Sequence, residues 1–288
     1  MIETITSPAA MSARAAAFAR AGTRVGFVPT MGALHDGHLD LVRTARAEND
    51  VAVVSIFVNP LQFGPNEDFT RYPRDLDGDL TKLAPAGCSL VFTTDAASMY
   101  PRGFSTYVTN DAWSDRFEGA VRPGHFRGVL TVVAKLFHLV RPTTAYFGQK
   151  DAQQALLIRR MVADLDFPLQ VRVRPTVREP DGLARSSRNV FLSATGRERG
   201  VSLSRGLRAA AARFASGERD ANALIAAARA ELEATPGVSV DYVALVHADT
   251  LEDVAHADAR SLMLVAARVD GVRLLDNALL SAPTEAAW

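Results

Sequence analysis

Apolar positions along this chain follow two periods in turn, and their alternation predicts the elements. Residues 25–28 are a continuous apolar run closed by Pro29, the pattern of a buried strand. Leu39, Leu41, Val42 and Ala45 then stand among polar residues, the stripe of a half-buried helix. Residues 51–58 are apolar and β-branched, a second buried strand. Strand, helix and strand at this spacing form a right-handed unit with parallel strands. Ser7-Pro8 before an alanine-rich stretch reads as an N-cap and a first-turn proline for a covering helix over 9–20. Further along, the pattern predicts helices over 75–83, 129–140 and 152–164. It predicts strands over 89–92, 145–148 and 169–173, with a short β-like piece at 105–109. Pro175 to Pro180 reads as a boundary. Beyond Ser193 two alanine-rich helical stretches, 203–214 and 221–232, precede strand-like runs at 240–246, 261–269 and 272–280. Gly196, Gly200 and Gly206 interrupt the first of those helices, each costing roughly 1 kcal/mol against Ala if interior. The division expected is 1–175 and 176–288.

Composition narrows the classes. The 288 residues suffice for one large or two ordinary domains. Lys plus Arg equals Asp plus Glu at 32 each, so nothing global points to nucleic acid or an anionic membrane. One cysteine, Cys88, permits no disulfide within the chain and reads as core packing. The start, Met1-Ile2-Glu3-Thr4, shows no secretory pattern, and no apolar run reaches membrane-spanning length. A soluble, cytoplasmic protein is expected. Only Lys82, Lys135 and Lys150 are lysines among the basic residues. A lysine kept against that habit suggests a need for a compact ammonium.

The candidate chemistry lies in four loops. Between the first strand and helix, Gly32 and Gly37 flank His35, and His38 follows three residues after it. A glycine-bearing turn into a helix aims backbone N–H groups and the helix's positive end at an anion. Two imidazoles there add donors, which together read as a nucleotide triphosphate site of the H-x-G-H type. Taken without its surroundings, the pair would fit a metal site or two surface imidazoles. No nearby cysteine or acidic cluster completes a metal site.

The loop from Asn59 to Gln62 follows the second strand at its carboxyl end, where open α/β sheets bind ligands. Its two amides could orient a small polar substrate or serve only the turn backbone. Gly148, Gln149, Lys150 and Asp151 again pass from strand to helix, with Lys150 as a point charge for phosphate and Asp151 for ribose hydroxyls. The alternative there is a capping Asp beside a solvated Lys. Arg185-Ser186-Ser187-Arg188 is a cluster of hydroxyl and guanidinium donors suited to developing phosphate charge, or plain surface. His125 is open between a ligand contact and a capping or backbone-bonding role. His138 reads as packed inside an apolar helix, and His247, His256 and Trp288 as structural or surface.

Four motifs stand in one order: P-T-M-G-A-L-H-D-G-H at 29–38, F-V-N-P-L-Q-F at 57–63, F-G-Q-K-D at 147–151 and D-G-L-A-R-S-S-R-N at 181–189. Together they resemble the pantoate–β-alanine ligase family of the H-x-G-H nucleotidyltransferase superfamily, over nearly the whole chain. The fold expected, from the pattern above and in keeping with the resemblance, is α/β, a Rossmann-like doubly wound parallel sheet with a smaller C-terminal α+β domain, which by closing as a lid would exclude water. The reaction implied has two steps. Pantoate's carboxylate attacks the α-phosphate of ATP and releases pyrophosphate, then the β-alanine amine attacks the acyl adenylate and expels AMP.

By the same resemblance His35 and His38 stabilise phosphates, with His38 at the position of proton donor. Met31, Gly32, Ala33, Leu34, His35, Asp36, Gly37 and His38 line the ATP site. Gly148, Gln149, Lys150 and Asp151 hold ribose and phosphate. Val177 and the loop Arg185, Ser186, Ser187 and Arg188 hold adenine and phosphates. Gln62 and Gln154 contact pantoate, Gln62 also β-alanine. Apart from the resemblance, the gem-dimethyl of pantoate needs an apolar wall, which Val129, Val132 and Val133 could supply, and the Asn59 amide is a further substrate-binding candidate. Magnesium accompanies ATP, with no protein ligands assigned, and the family is usually a homodimer. The imidazoles and the Lys150 ammonium are expected to serve one polyphosphate. Arg185 departs from the family's usual apolar residue and Gln149 from a frequent Glu. The rival readings are an H-x-G-H enzyme that releases its adenylated product, and a nucleotide-binding regulator without turnover.

Overall fold

The computed structural model describes residues 2–65, 67 and 69–282. By internal contacts the chain forms two compact units: Met1–Phe147 with Gln154–Val173, and Gly148–Gln153 with Arg174–Trp288. Nothing in the hydrophobic pattern anticipates the excursion of 148–153 into the second unit, because its membership is set by tertiary hydrogen bonds described below.

The first unit opens with β1 (Glu3–Ile5), α1 (Pro8–Arg20), β2 (Val25–Thr30), α2 (Asp36–Glu48) and β3 (Val51–Ile56). It continues through α3 (Leu76–Leu83), β4 (Leu90–Thr93), and the short α4 (Ala96–Met99) and α5 (Glu118–Val121). Then come α6 (His125–Val140), β5 (Thr144–Gly148), α7 (Ala152–Asp164) and β6 (Gln170–Arg174). The sheet order is β1-β4-β3-β2-β5-β6, parallel at β1/β4, β4/β3, β3/β2 and β2/β5. Strand order reverses at β2, so the crevice beside its carboxyl end is the topological switch point of the sheet. Val28, Val54 and Val91 face α2 and α3 from one side, with Leu39, Val42 and Leu83. Their alternates Phe27, Val53 and Phe92 are fully buried on the other, as the two-residue period of a strand requires. This is the doubly wound α/β sheet.

Several details differ from the pattern. β1 is too short for periodicity to reveal, and it exists because its main chain pairs with β4. Residues 105–109 form no strand; the Val108 N–H is taken by the Thr131 hydroxyl at 3.0 Å. α6 starts at His125, not Val129, and His138 is exposed on it against the Phe167 ring at 5.2 Å. Cys88 is buried, and desolvation pushes its thiol up to about 12. Trp288 lies outside the described residues.

In the second unit α8 (Ala194–Ala215) and α9 (Ala221–Glu233) cover a three-stranded antiparallel sheet, β7 (Val238–His247), β8 (Ser261–Val269) and β9 (Val272–Leu279). Ser193 caps α8 through the Gly196 N–H, so Gly196, Gly200 and Gly206 are all helix-interior. Leu203, Leu207, Leu224, Leu232, Met263 and Val265 centre its core. Asp270-Gly271, both at positive φ, turn β8 into β9.

Candidate active site

The H-x-G-H turn leaves the carboxyl end of β2. Thr30 ends the strand, its hydroxyl donating to the Ser55 oxygen at 2.7 Å and accepting from the Gly32 N–H at 3.2 Å. Gly32 and Ala33 then take positive φ, +81° and +51°, to reverse the chain. An alanine there costs roughly 1–2 kcal/mol, and something must hold it. Asp79 of α3 does: its two oxygens accept the N–H groups of Ala33 (2.9 Å) and Leu34 (2.8 Å). Lys82 donates to the Leu34 oxygen at 2.9 Å. Asp79 is buried, and desolvation raises its pKa against the pull of those N–H groups and of Lys82.

Within the turn, the N–H groups of Ala33 and Leu34 hold the protein's own carboxylate. Asp79 lies outside all four sequence motifs. The signal was available, since it falls between Leu76, Leu80 and Leu83 on the apolar stripe of its helix.

His35 is the N-cap of α2 and His38 its third residue, in a reciprocal capping arrangement. The Gly37 N–H donates to His35 Nδ1 at 3.2 Å, and the His35 N–H to His38 Nδ1 at 3.4 Å. A ring nitrogen that accepts carries no hydrogen, so in each neutral imidazole the hydrogen sits on Nε2. The rings lie 4.1 Å apart at 34°. The backbone has thereby selected the same tautomer twice, making two Nε2–H donors at a helix N-terminus.

The second loop is joined to the first. Pro60–Gln62 forms a 3₁₀ turn capped by Asn59. Asn59 Oδ1 accepts from the Leu61 N–H (3.2 Å) and the Tyr100 hydroxyl (2.7 Å), and Nδ2 donates to Gln62 Oε1 (3.0 Å) and the Gly128 oxygen (3.1 Å). All four of its bonding positions are used within the protein, one of them on Gln62, so Asn59 helps to orient Gln62. Gln62 Nε2 in turn meets Met31 Sδ at 3.1 Å.

His125 faces the Gln62 oxygen with Nδ1 (2.8 Å) and Arg122 Nη1 with Nε2 (3.1 Å). A carbonyl only accepts and a guanidinium only donates, so His125 is neutral with its hydrogen on Nδ1. Burial and then the charge of Arg122 lower its pKa to about 4. Of the two roles left open for it, the backbone-bonding one is observed. Val132 and Val133 are buried on α6 beyond Gly128, and Gln154 is half-buried at the start of α7.

The second unit gathers the remaining candidates. Lys150, Ala184, Ser186, Arg188, Asn189 and Asp276 line one pocket. Lys150 is half-buried, 3.3 Å from Asp151. The Arg185 N–H donates to the Val177 oxygen at 2.9 Å, which draws those two predicted adenine-loop residues together. The Arg185 side chain, where an apolar residue was expected, pairs with Glu179 at 3.1 Å. Ser186 caps the 3₁₀ turn Ser187–Phe191 through the Arg188 N–H. Among the described residues no group of three or more His, Cys, Asp or Glu is arranged to hold a metal ion.

The family model of pantoate-beta-alanine ligase matches residues 3–279. The chain belongs to the pantoate-beta-alanine ligase family. Its relatives include the pantothenate synthetase of Acidobacterium capsulatum, 56% identical over 90% of this chain and 87% of that protein. Another is that of Moorella thermoacetica, 50% identical over 97% and 99%. Among solved structures, the pantothenate synthetase of Thermus thermophilus superposes with a TM-score of 0.92 at 48% identity, covering 97% of this chain and 99% of that one. The Francisella tularensis pantoate-beta-alanine ligase, solved with beta-gamma ATP and beta-alanine, gives 0.78 at 31% identity over 98% and 99%. Like its ligase relatives, the chain is an enzyme of pantothenate biosynthesis. Among the described residues no helix is long and apolar enough to cross a membrane.

Proposed function

We propose that this ligase condenses (R)-pantoate with β-alanine, using ATP and passing through pantoyl adenylate to give pantothenate, AMP and pyrophosphate. The observation that carries the reading is the pair of backbone-pinned imidazoles on the H-x-G-H turn, in a chain of this family. Their Nε2–H groups stabilise charge on the phosphates as pyrophosphate leaves, with His38 as the proton donor. Lys150 supplies a compact positive charge to the same phosphates, and Ser186, Ser187 and Arg188 supply further donors. Such preorganised donors commonly give the largest catalytic contribution in transfers of this kind.

Met31 to His38, Gly148 to Asp151, Val177 and Arg185 to Arg188 form the ATP set. Gln62, held by Asn59, contacts pantoate and β-alanine; Gln154 contacts pantoate, with Val132 and Val133 as the apolar wall. The main-chain bond from Arg185 to Val177 holds those two segments side by side, and adenine read there by backbone groups outside that bond tolerates an arginine side chain. The Francisella ligase, solved with an ATP species and β-alanine, supports both ligands. Magnesium accompanies the phosphates of ATP. A homodimer, from the resemblance, a cytoplasmic location, from composition, and a lid role for the second unit, from the need to keep water from the acyl adenylate, complete the proposal.

Two measurements test it. AMP formation from ATP and pantoate should depend on β-alanine; sustained AMP release without it would point to an enzyme that frees its adenylate, and no pyrophosphate at all to a regulator. His38→Ala and Lys150→Ala should each slow adenylation by at least ~100-fold through loss of an electrostatic donor. Near-normal pyrophosphate release by either would remove that residue from the catalytic set.

A further inference from the structure

Asn277 on β9 is buried, and its carboxamide is directed wholly at the turn that carries Lys150. Nδ2 donates to the main-chain oxygens of Gln149 (2.8 Å) and Lys150 (2.9 Å), and Oδ1 meets Gln149 Nε2 at 3.3 Å. Two carbonyl oxygens can only accept, so the amide edge facing them is the NH2. Gln149–Asp151 is a single 3₁₀ turn whose N-cap, Gly148, has no side chain to cap it. The turn leads directly into α7 at Ala152. The two oxygens held belong to the peptide planes before and after the Lys150 Cα. Each plane is rigid, so fixing both fixes the backbone angles between them and the direction in which the lysine leaves the chain.

The neighbouring residue extends the brace. Asp276 accepts the Asn277 N–H at 2.8 Å and pairs through both oxygens with Arg178, at 2.6 and 3.0 Å. Arg178 also donates to the Gly182 oxygen at 3.1 Å, ahead of the Ser186–Arg188 loop. Two consecutive β9 residues thus anchor both stretches of the second unit that carry candidate phosphate donors.

We propose that Asn277 is a positioning residue for adenylation, aiming the Lys150 ammonium by clamping the peptide planes on either side of its Cα. The inference rests on the reading of Lys150 given above. An aspartate at 277 would set a negative oxygen against two carbonyl oxygens, and an alanine would leave both oxygens without their donor. A double-mutant cycle tests it: pyrophosphate release by Asn277→Ala, Lys150→Ala and the double variant, each also followed by thermal unfolding. Asn277→Ala is expected to lower kcat about 10-fold or more while changing KM for ATP less than about 3-fold. In the Lys150→Ala background the same change should cost less than about 2-fold, because the group it positions is gone.

Asn277→Ser, which keeps one donor, should fall between the parent and Asn277→Ala, and it serves as the second variant if the alanine form does not fold. Equal losses in both backgrounds, or no loss when Lys150 is present, overturn the proposal for Asn277 alone. A Lys150→Ala enzyme with normal kcat overturns the role of Lys150 and this inference with it.

Discussion

Asp79 spends both carboxylate oxygens on adjacent main-chain N–H groups, and an amide cannot do the same. Asp79→Asn leaves one of the Ala33 and Leu34 donors facing an NH2, so the H-x-G-H turn should loosen. Adenylation is expected to fall about 10-fold, and stability by about 1–3 kcal/mol, read by pyrophosphate release and urea unfolding. His125 gives a pH signature. Its folded pKa is lowered to about 4 from an ordinary 6.5, so between those values the unfolded chain binds a proton that the folded one refuses. Stability should therefore decline as pH falls from about 6.5 to about 4, by up to about 1.4 kcal/mol per pH unit from this group. Arg122, Glu118 and Glu67 supply its electrostatic surroundings. The test is the difference in slope between the parent and His125→Gln; identical slopes would show that His125 does not titrate this way. At this scale the sequence showed which residues could act. It did not show which amide would be consumed, because two of the partners that satisfy Asn59, Tyr100 and Gly128, lie far along the chain.

Between elements, two glycines are set by close approach more than by propensity. A Cβ at Gly206 of α8 would lie 2.7 Å from the Ala228 oxygen and from Leu232 Cδ1 on α9. Helix propensity alone predicts that Gly206→Ala gains about 1 kcal/mol. The contact predicts a loss of about 1–3 kcal/mol instead, and the sign of the shift in urea midpoint decides between them. Gly128 on α6 is tighter, with a Cβ placed 2.2 Å from the Leu61 oxygen. Gly128→Ala should displace the Pro60–Gln62 turn and raise KM for pantoate, measured at saturating ATP. Helices and central strands were legible from period because each buries one face or both. β1 and the irregular 105–109 were not, since pairing and a single threonine bond settle them.

Over the whole molecule, two cores stand in two units, and the chain crosses between those units at 147/148, 153/154 and 173/174. A ligand that binds only the folded protein stabilises it by about 2.7 kcal/mol at a hundred times its Kd. ATP should accordingly raise the unfolding temperature of the parent, and raise it less for Lys150→Ala at the same concentration; equal shifts would separate Lys150 from nucleotide binding. By itself the sequence determined the parallel α/β sheet, the following α+β unit, the family and the four loops that carry its motifs. Those follow from hydrophobic period and from local residue order, both written along the chain. Tertiary structure alone decided that Asp79 holds the H-x-G-H turn, that Asn59 is spent on Gln62, and that Asn277 braces Lys150. Each of those is a hydrogen bond whose partners are fixed only once the backbone has brought buried donors and acceptors within reach.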